Sequence, residues 1–534
     1  MQTLNSYPST YPLYWHGSPQ DAAFEPIAVR AMLLDLDIPL HIIIRSDGEV
    51  GVARKGALSA APGGYGILAS LPSQPIGSLG DPAFRSTYGV SAALYAGAMA
   101  NGIASEEMLI TLGKTGLMGS FGAGGLSPSR VETAIRKVQA ALPDGPYAFN
   151  LLHSPFEPAV ERRTAELYVQ YHVPVVEASA FLDLSPALVH YRASGLSKAS
   201  DGSVQIHHRV IAKISRKEVA RRFMEPAPAD LLNALVNEGR ITPAQAELAG
   251  RVPVADDITV EADSGGHTDN RPLVCLIPTL LTQRDAIQAK RNYPVPVRIG
   301  AGGGIGTPAA ALAAFMMGAA YVVTGSINQA CLESGAAEAV RRLLAQTDMA
   351  DVTMAPAADM FEMGVRVQVV KRGTMFAMRA AKLYELYTRY NSLEEIPPVE
   401  REKLEKQVFR REIEAIWQDT LRFFSERDPK QIERAEKDPH QKMALVFRWY
   451  LGLSSRWAVN GEPGREMDYQ VWCGPAMGAF NDWVRGTPLA EPANRHVAEV
   501  NWQILTGAAY LARLRMLGLS GVRLPASLEA YTPA

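Results

Sequence analysis

His267 follows two glycines in EADSGGHTDN, residues 261–270. An imidazole on a tight backbone turn can donate a proton, or hydrogen-bond a carbonyl oxygen, near neutral pH. An ordinary surface-loop histidine is the other reading. Two further glycine turns lie ahead of helical patterns: Gly302-Gly303-Gly304 in GAGGGIGTPAAALAAFMMGA, and Gly325 in Thr324-Gly325-Ser326. Glycine lets a backbone come close to an anion while a helix N-terminus directs free N–H groups at it. Two polar residues interrupt apolar runs, Asn150 in YAFNLLH and Lys213 in RVIAKIS. Asn150 either caps a turn or meets a polar partner. Lys213 either points outward or meets an anionic group, because an unpaired inward ammonium is costly.

Other chemistries lack their residues. No Gly-Lys-Ser/Thr follows the glycines as a nucleotide P-loop requires, and they miss the G-x-G-x-x-G spacing of dinucleotide folds. There is no G-x-S-x-G elbow and no H-E-x-x-H helix. Cys275, Cys331 and Cys473 lie far apart, so neither a disulfide framework nor a zinc site is expected. Cys275 and Cys331 read as small buried apolar residues, and no metal is expected.

These residues need a scaffold that brings distant turns together. From about residue 91 to 334, short apolar runs alternate with amphipathic stretches such as SEEMLITLGK, SRVETAIRKVQAAL and ERRTAELYVQYH. The strand candidates are 91–99, 117–124, 147–153, 173–179, 209–215, 258–264, 295–303 and 321–326. Eight alternating units predict a closed parallel (β/α)₈ barrel, whose chemistry sits at the C-terminal ends of its strands. His267, Asn150, Lys213 and the glycine turns all fall at such ends. Glycine turns after strands seven and eight form the phosphate site many barrels use for a phosphorylated cofactor.

The barrel is expected over 88–345, with a helical insertion at about 216–252. Residues 1–87 alternate apolar runs with Asp-Gly turn chemistry and read as a small β-rich module. Residues 346–534 carry long charged helices and six of the seven tryptophans, which predicts a packed helical domain able to act as a lid.

With 53 basic and 55 acidic side chains the formal net charge is −2. No global field therefore favours nucleic acid or anionic lipid. The first residues lack a basic and apolar leader pattern, and no window offers about 18 uninterrupted apolar residues. A cytoplasmic protein that neither spans nor is anchored in a membrane is expected; a homodimer is the commonest assembly for such chains.

The run ITVEADSGGHTDN, followed by VPVRIGAGGGIGTPAAALAAFMMGAAYVVTGS, resembles the flavin barrels of the nitronate monooxygenase and flavin enoyl-ACP reductase superfamily. YAGAMANGIASEEMLITLGKTGLMGSFGAGGLSPSRVETAI, YAFNLLHSPFEPAVE, FEMGVRVQVVKRGTMFAMRAAKLYELY and DYQVWCGPAMGAFNDW resemble more narrowly the PfaD-type trans-acting enoyl reductases of polyunsaturated fatty acid and polyketide synthases. The resemblance implies a barrel that binds FMN, takes hydride from NADPH and reduces an enoyl thioester held by an acyl carrier protein. It would set Ala98, Met99, Asn150, Lys213, Gly265 and Gly266 against the flavin ring, and Gly303, Gly304, Gly325 and Ser326 on its phosphate. His267 would polarise the thioester carbonyl or help protonate the α-carbon, with Lys213 beside it. Strand eight departs from the superfamily, ending Val-Thr-Gly-Ser where many members carry Gln-x-Gly-Thr. Basic clusters at Arg216, Lys217, Arg221 and Arg222, and at Lys371, Arg372 and Arg379, are carrier-docking candidates or ordinary solvated helix charge. A nitronate monooxygenase-like oxidase and a catalytically silent scaffold are the rival readings.

Overall fold

The computed structural model describes residues 11–522 and 524–533; the first ten residues, where a leader was sought, lie outside them. Among the described residues no helix is long and apolar enough to cross a membrane.

Residues 14–71 form a six-stranded sheet. Its central hairpin, Leu40–Ile44 with Val50–Ala53, is antiparallel and turns at Gly48 with φ +88°, as the Ser-Asp-Gly sequence there leads one to expect. One helix in this module was not expected from the sequence, Pro26–Leu34. It is only nine residues long, and just Val29 and Leu33, four apart, are buried.

Eight parallel strands close into a barrel: β1 Leu94–Ala96, β2 Met118–Phe121, β3 Ala148–Leu152, β4 Val175–Ser179, β5 Arg209–Ile214, β6 Asp257–Glu261, β7 Arg298–Gly302 and β8 Val322–Thr324. Each falls inside or within one residue of its expected run. Several intervening helices start on the same local chemistry: Ser127, Ser185 and Thr307 accept a backbone N–H while proline fills the first helical position. Between β5 and β6 three helices stand in sequence, Lys217–Met224, Ala229–Asn237 and Pro243–Ala249. A small hairpin, Leu196–Lys198 with Val204–Ile206, precedes β5; it was not expected, although Asp201-Gly202, with Gly202 at φ +85°, supplies its turn.

The bottom of the barrel is sealed by a buried polar group. Arg298 holds Asp257 through Nε to Oδ1 at 2.6 Å and Nη2 to Oδ2 at 2.7 Å, and Tyr88 donates to the same carboxylate.

After the barrel the chain first makes strands, not helices. Val352–Pro356 pairs with Arg366–Val370, and the latter pairs with Gly266–His267. Helices Phe376–Arg389, Ile413–Arg427 and Pro439–Asn460 then gather around their own core, which holds Phe376, Phe409, Phe447 and Tyr450. The chain finally returns to the barrel: Val497–Leu519 packs on Pro308–Met316, and its buried Arg513 donates to the carbonyls of Leu33, Asp35, Leu36 and Ile38. The tryptophans of this region therefore divide. Trp417 and Trp449 serve the separate core, whereas Trp483 and Trp502 pack on the barrel's own.

Candidate active site

A cavity of about 590 Å³ lies between the C-terminal strand ends and the helices over them. Ala98, Met99, Asn150, Lys213, Gly265, Gly266, His267, Gly303, Gly304, Gly325 and Ser326 all line it. The structure thus brings every sequence-derived candidate into one space.

Lys213 points inward, which settles its two readings. Its Nζ stands 3.2 Å from Glu261 Oε1 and 3.7 Å from Glu177 Oε1. Burial opposes the ammonium, but the two carboxylates outweigh it and the lysine pKa is raised. The fully buried Glu177 also accepts from Ala98 N at 3.1 Å, so β1 and β4 are tied through it. Neither glutamate was singled out from the sequence. The signal was an acid near the end of each apolar strand, in VVEAS and TVEADS.

Asn150 is a buried strand-end amide with partners. Its Nδ2 donates to Glu177 O at 3.0 Å and Ser179 Oγ at 2.9 Å. That leaves Oδ1 as its acceptor toward the cavity.

The two glycine turns differ in what their missing side chains allow. A Cβ on Gly303 would come within 2.7 Å of Ala262 C, whereas Cβ positions on Gly304 and Gly325 meet nothing within 4 Å. Gly303 and Gly304 have φ of +88° and +76°, a region where glycine carries no steric cost. Among the described residues no acceptor reaches the N–H groups of Gly304, Gly325 or Ser326. Ser326 Oγ is instead used by the protein, accepting from Gly474 N at 3.0 Å. Beneath β8, Thr324 Oγ1 donates to Asn501 Oδ1 at 2.7 Å and accepts from Asn328 Nδ2 at 2.9 Å. The threonine side chain is thus part of the core.

His267 is held from two sides. Its backbone pairs with Val367, and Nε2 lies 3.1 Å from Asp359 Oδ1. Burial lowers the imidazole pKa, but the charge and hydrogen bond of Asp359 outweigh that, and the net shift is upward. Asp359 was missed, since nothing in AADM marks it as a partner for a residue in β6's loop.

The outer part of the cavity is apolar, with Phe423, Phe424, Leu445, Trp449 and Trp472 among its walls. Arg427 clamps this helical cover to the barrel with a two-point pair to Glu157, at 2.6 and 3.1 Å.

A family model described as nitronate monooxygenase matches residues 87–395, more than half the chain. The chain belongs to the nitronate monooxygenase family. A second model, the PfaD N-terminal domain of fatty acid synthases, matches residues 15–73 and places this family member on the PfaD-type branch. The inserted helical domain of [acyl-carrier-protein] S-malonyltransferase matches 390–469, which holds the helices Ile413–Arg427 and Pro439–Asn460 of the separate core. A polyunsaturated fatty acid synthase component of Thraustochytrium sp. is 52% identical over 92% of this chain and 33% of its own length. PksE, a polyketide biosynthesis protein of Bacillus subtilis, is 46% identical over 82% of this chain and 57% of its own. The chain therefore spans about a third to a little over half of these relatives. The enoyl reductase domain of MlnA from the macrolactin cluster of Bacillus amyloliquefaciens superposes with a TM-score of 0.79 at 38% identity, covering 83% of this chain and all of that one.

One expectation is corrected by this family member's geometry. Cys331 is buried but Cys275 is exposed on helix Leu273–Arg291; the apolar letters around it, VCLIP, do not reveal which helix face turns to solvent. The basic clusters are paired in part: Arg216 with Asp269, Arg222 with Asp183, Arg372 with Asp351 and Arg379 with the buried Asp468, while Lys217, Arg221 and Lys371 meet no carboxylate among the described side chains. Among the described residues no group of side chains could hold a metal ion.

Proposed function

We propose that this chain is an FMN-dependent enoyl reductase that uses NADPH to saturate the α,β double bond of thioesters carried by an acyl carrier protein. The observation that carries the reading is the joining, in one cavity, of free N–H donors at the β7 and β8 turns, an acid-paired histidine and an apolar chamber. Its PfaD-type relatives in synthase systems support the same substrate class.

The residues fit the cofactor. Gly304 and Gly325, where no Cβ intrudes, and Ser326 beside them offer unspent backbone donors, which suits a phosphate. Ser264 Oγ, buried without a partner on the cavity wall, is a further donor for a polar ring edge. When bound there, FMN would supply the two-electron redox chemistry between NADPH and the enoyl thioester. His267 contributes the proton. With Nε2 held by Asp359, Nδ1 is the ring nitrogen left to hydrogen-bond the thioester carbonyl or protonate the α-carbon. Lys213, neutralised by Glu177 and Glu261, fixes the floor on which the ring rests. The helical cover excludes water from the apolar chamber and receives the acyl chain.

The test is a spectrum followed by anaerobic mixing. Purified protein should show flavin absorbance that bleaches with NADPH and returns on adding a crotonyl thioester. Reduction by a nitronate and not by NADPH would replace the reading with an oxidase, and a colourless protein that takes up no FMN would leave a scaffold.

A further inference from the structure

Every cation that lines the cavity has a carboxylate partner except one. Lys213 has Glu177 and Glu261, Arg427 has Glu157, Arg448 has Glu362 at 3.0 Å, and His267 has Asp359. Arg456 lines the same cavity, yet among the described side chains no carboxylate lies within 4 Å of it. Among the described residues its one hydrogen bond runs from Nη2 to Gly125 O at 3.3 Å.

Its surroundings suit a ligand. Arg456 projects from helix Pro439–Asn460 onto the Gly124-Gly125 turn after β2. That turn is pinned to the loop after β1 by Asn101 N donating to Gly124 O at 2.7 Å, and Asn101 Nδ2 donates to Ser455 Oγ at 2.9 Å. The cation therefore stands on a braced seam between barrel and cover, exposed to solvent on one side and to the cavity on the other. In the ring of strands β8 pairs with β1 and β1 with β2. Arg456 thus belongs to a sector of the mouth two strands removed from the Gly325 turn. A guanidinium with most of its donors unspent is matched to the geometry of an organic phosphate.

We propose that Arg456 is a specificity residue that receives the phosphate of an incoming substrate at this second sector. The inference rests on the enoyl reductase reading, in which two substrates carry such a group: the thioester through its phosphopantetheine arm, and NADPH through its 2′-phosphate. The arms of the experiment separate them.

The full chain as purified is titrated calorimetrically with phosphopantetheine, pantetheine, NADPH and NADH, as wild type, Arg456→Ala and Arg456→Lys. Loss of a charge-assisted hydrogen bond is worth about tenfold in affinity. If the arm phosphate docks here, the wild type prefers phosphopantetheine over pantetheine by about that factor, Arg456→Ala erases the preference, and Arg456→Lys keeps part of it. If the nucleotide phosphate docks here, the NADPH-over-NADH ratio collapses instead. Unchanged ratios in both pairs would overturn the proposal and leave Arg456 as a tie to Gly125. Crotonyl-thioester turnover is followed in parallel. A wild type with a phosphate preference governed by Arg456 but no turnover would sink the reductase reading and not this site, whereas normal turnover with unchanged ratios would do the reverse.

Discussion

His267 Nε2 lies 3.1 Å from Asp359 Oδ1, although 92 residues separate them in sequence. The carboxylate comes from the loop before strand Arg366–Val370, whose backbone also pairs with His267. Two observations on one residue, a backbone pairing and an ion pair, therefore fix the ring. Burial is the largest single influence on each group, but the charge and hydrogen bond they share, with smaller help from neighbouring groups, carry the net shift the other way: the imidazole pKa is raised and the carboxyl pKa lowered.

Replacing Asp359 by asparagine keeps a hydrogen-bonding side chain and removes the charge. The His267 pKa falls, so the alkaline limb of enoyl turnover moves to lower pH. A stability effect follows with a definite sign. The raised His267 pKa contributes stability that is fully present below its unfolded value of about 6.5 and is lost as pH rises through the folded value. The lowered Asp359 pKa contributes stability present above its unfolded value and lost as pH falls through the folded one. The variant should trail the wild type between those limits and converge with it outside them. Imidazole titration by NMR, with turnover against pH, checks this; superimposable profiles would remove the pair from the mechanism.

Gly325 offers a cleaner test of the anion cradle than its neighbours. A Cβ there meets no protein atom within 4 Å, and its φ of −136° lies outside the left-handed region. Gly325→Val should therefore fold, yet fill the space beside the free N–H groups. Its FMN content on purification should drop by about tenfold or more, since each lost charged hydrogen bond is worth about 1.5–3 kcal/mol, while the melting temperature of flavin-free protein stays near that of the parent. Full yellow colour in the variant would place the phosphate elsewhere.

Much of this frame was legible because each strand and turn carries its signal locally. Gly325 and His267 follow apolar runs that are readable one at a time, and Ser-Pro or Thr-Pro marks several helix starts. What could not be read is register. Along the barrel wall Glu177 stands beside Ile211, Lys213 beside Thr259, and Glu261 beside Gly302. Lys213 thus reaches each glutamate diagonally, through the stagger that closing a barrel imposes. No sequence spacing encodes that offset. Asp359 and Arg456 were hidden for the same reason, as their partners lie on elements remote in the chain.

Lys213 makes that stagger testable. Lys213→Met would leave Glu177, fully buried, and Glu261 facing each other without their shared cation. Breaking a buried pair from one side costs about 3–5 kcal/mol, and one of the acids should respond by binding a proton. The variant should unfold at lower urea and recover stability as pH is lowered, opposite to the usual trend for acid-paired carboxylates. A double variant, Lys213→Met with Glu177→Gln, should regain part of the loss. If the single variant is as stable as wild type at neutral pH, the three side chains are not coupled as the distances imply.

Arg298 supplies a control at the far end of the barrel. Its guanidinium grips Asp257, whose carboxyl pKa is pushed up by burial despite the arginine's opposing charge. Arg298→Met removes the guanidinium that lies over Phe84 and Tyr88 and strands Asp257 at zero exposure. Removal of one partner should again cost about 3–5 kcal/mol, measured as a shift in urea midpoint. Because the site lies at the other end of the strands, the surviving folded fraction should keep its flavin and its His267 pH profile. A variant that folded normally but lost colour would mean that the barrel floor and the cofactor cradle are mechanically linked, and stability effects at Lys213 could then no longer be read as local.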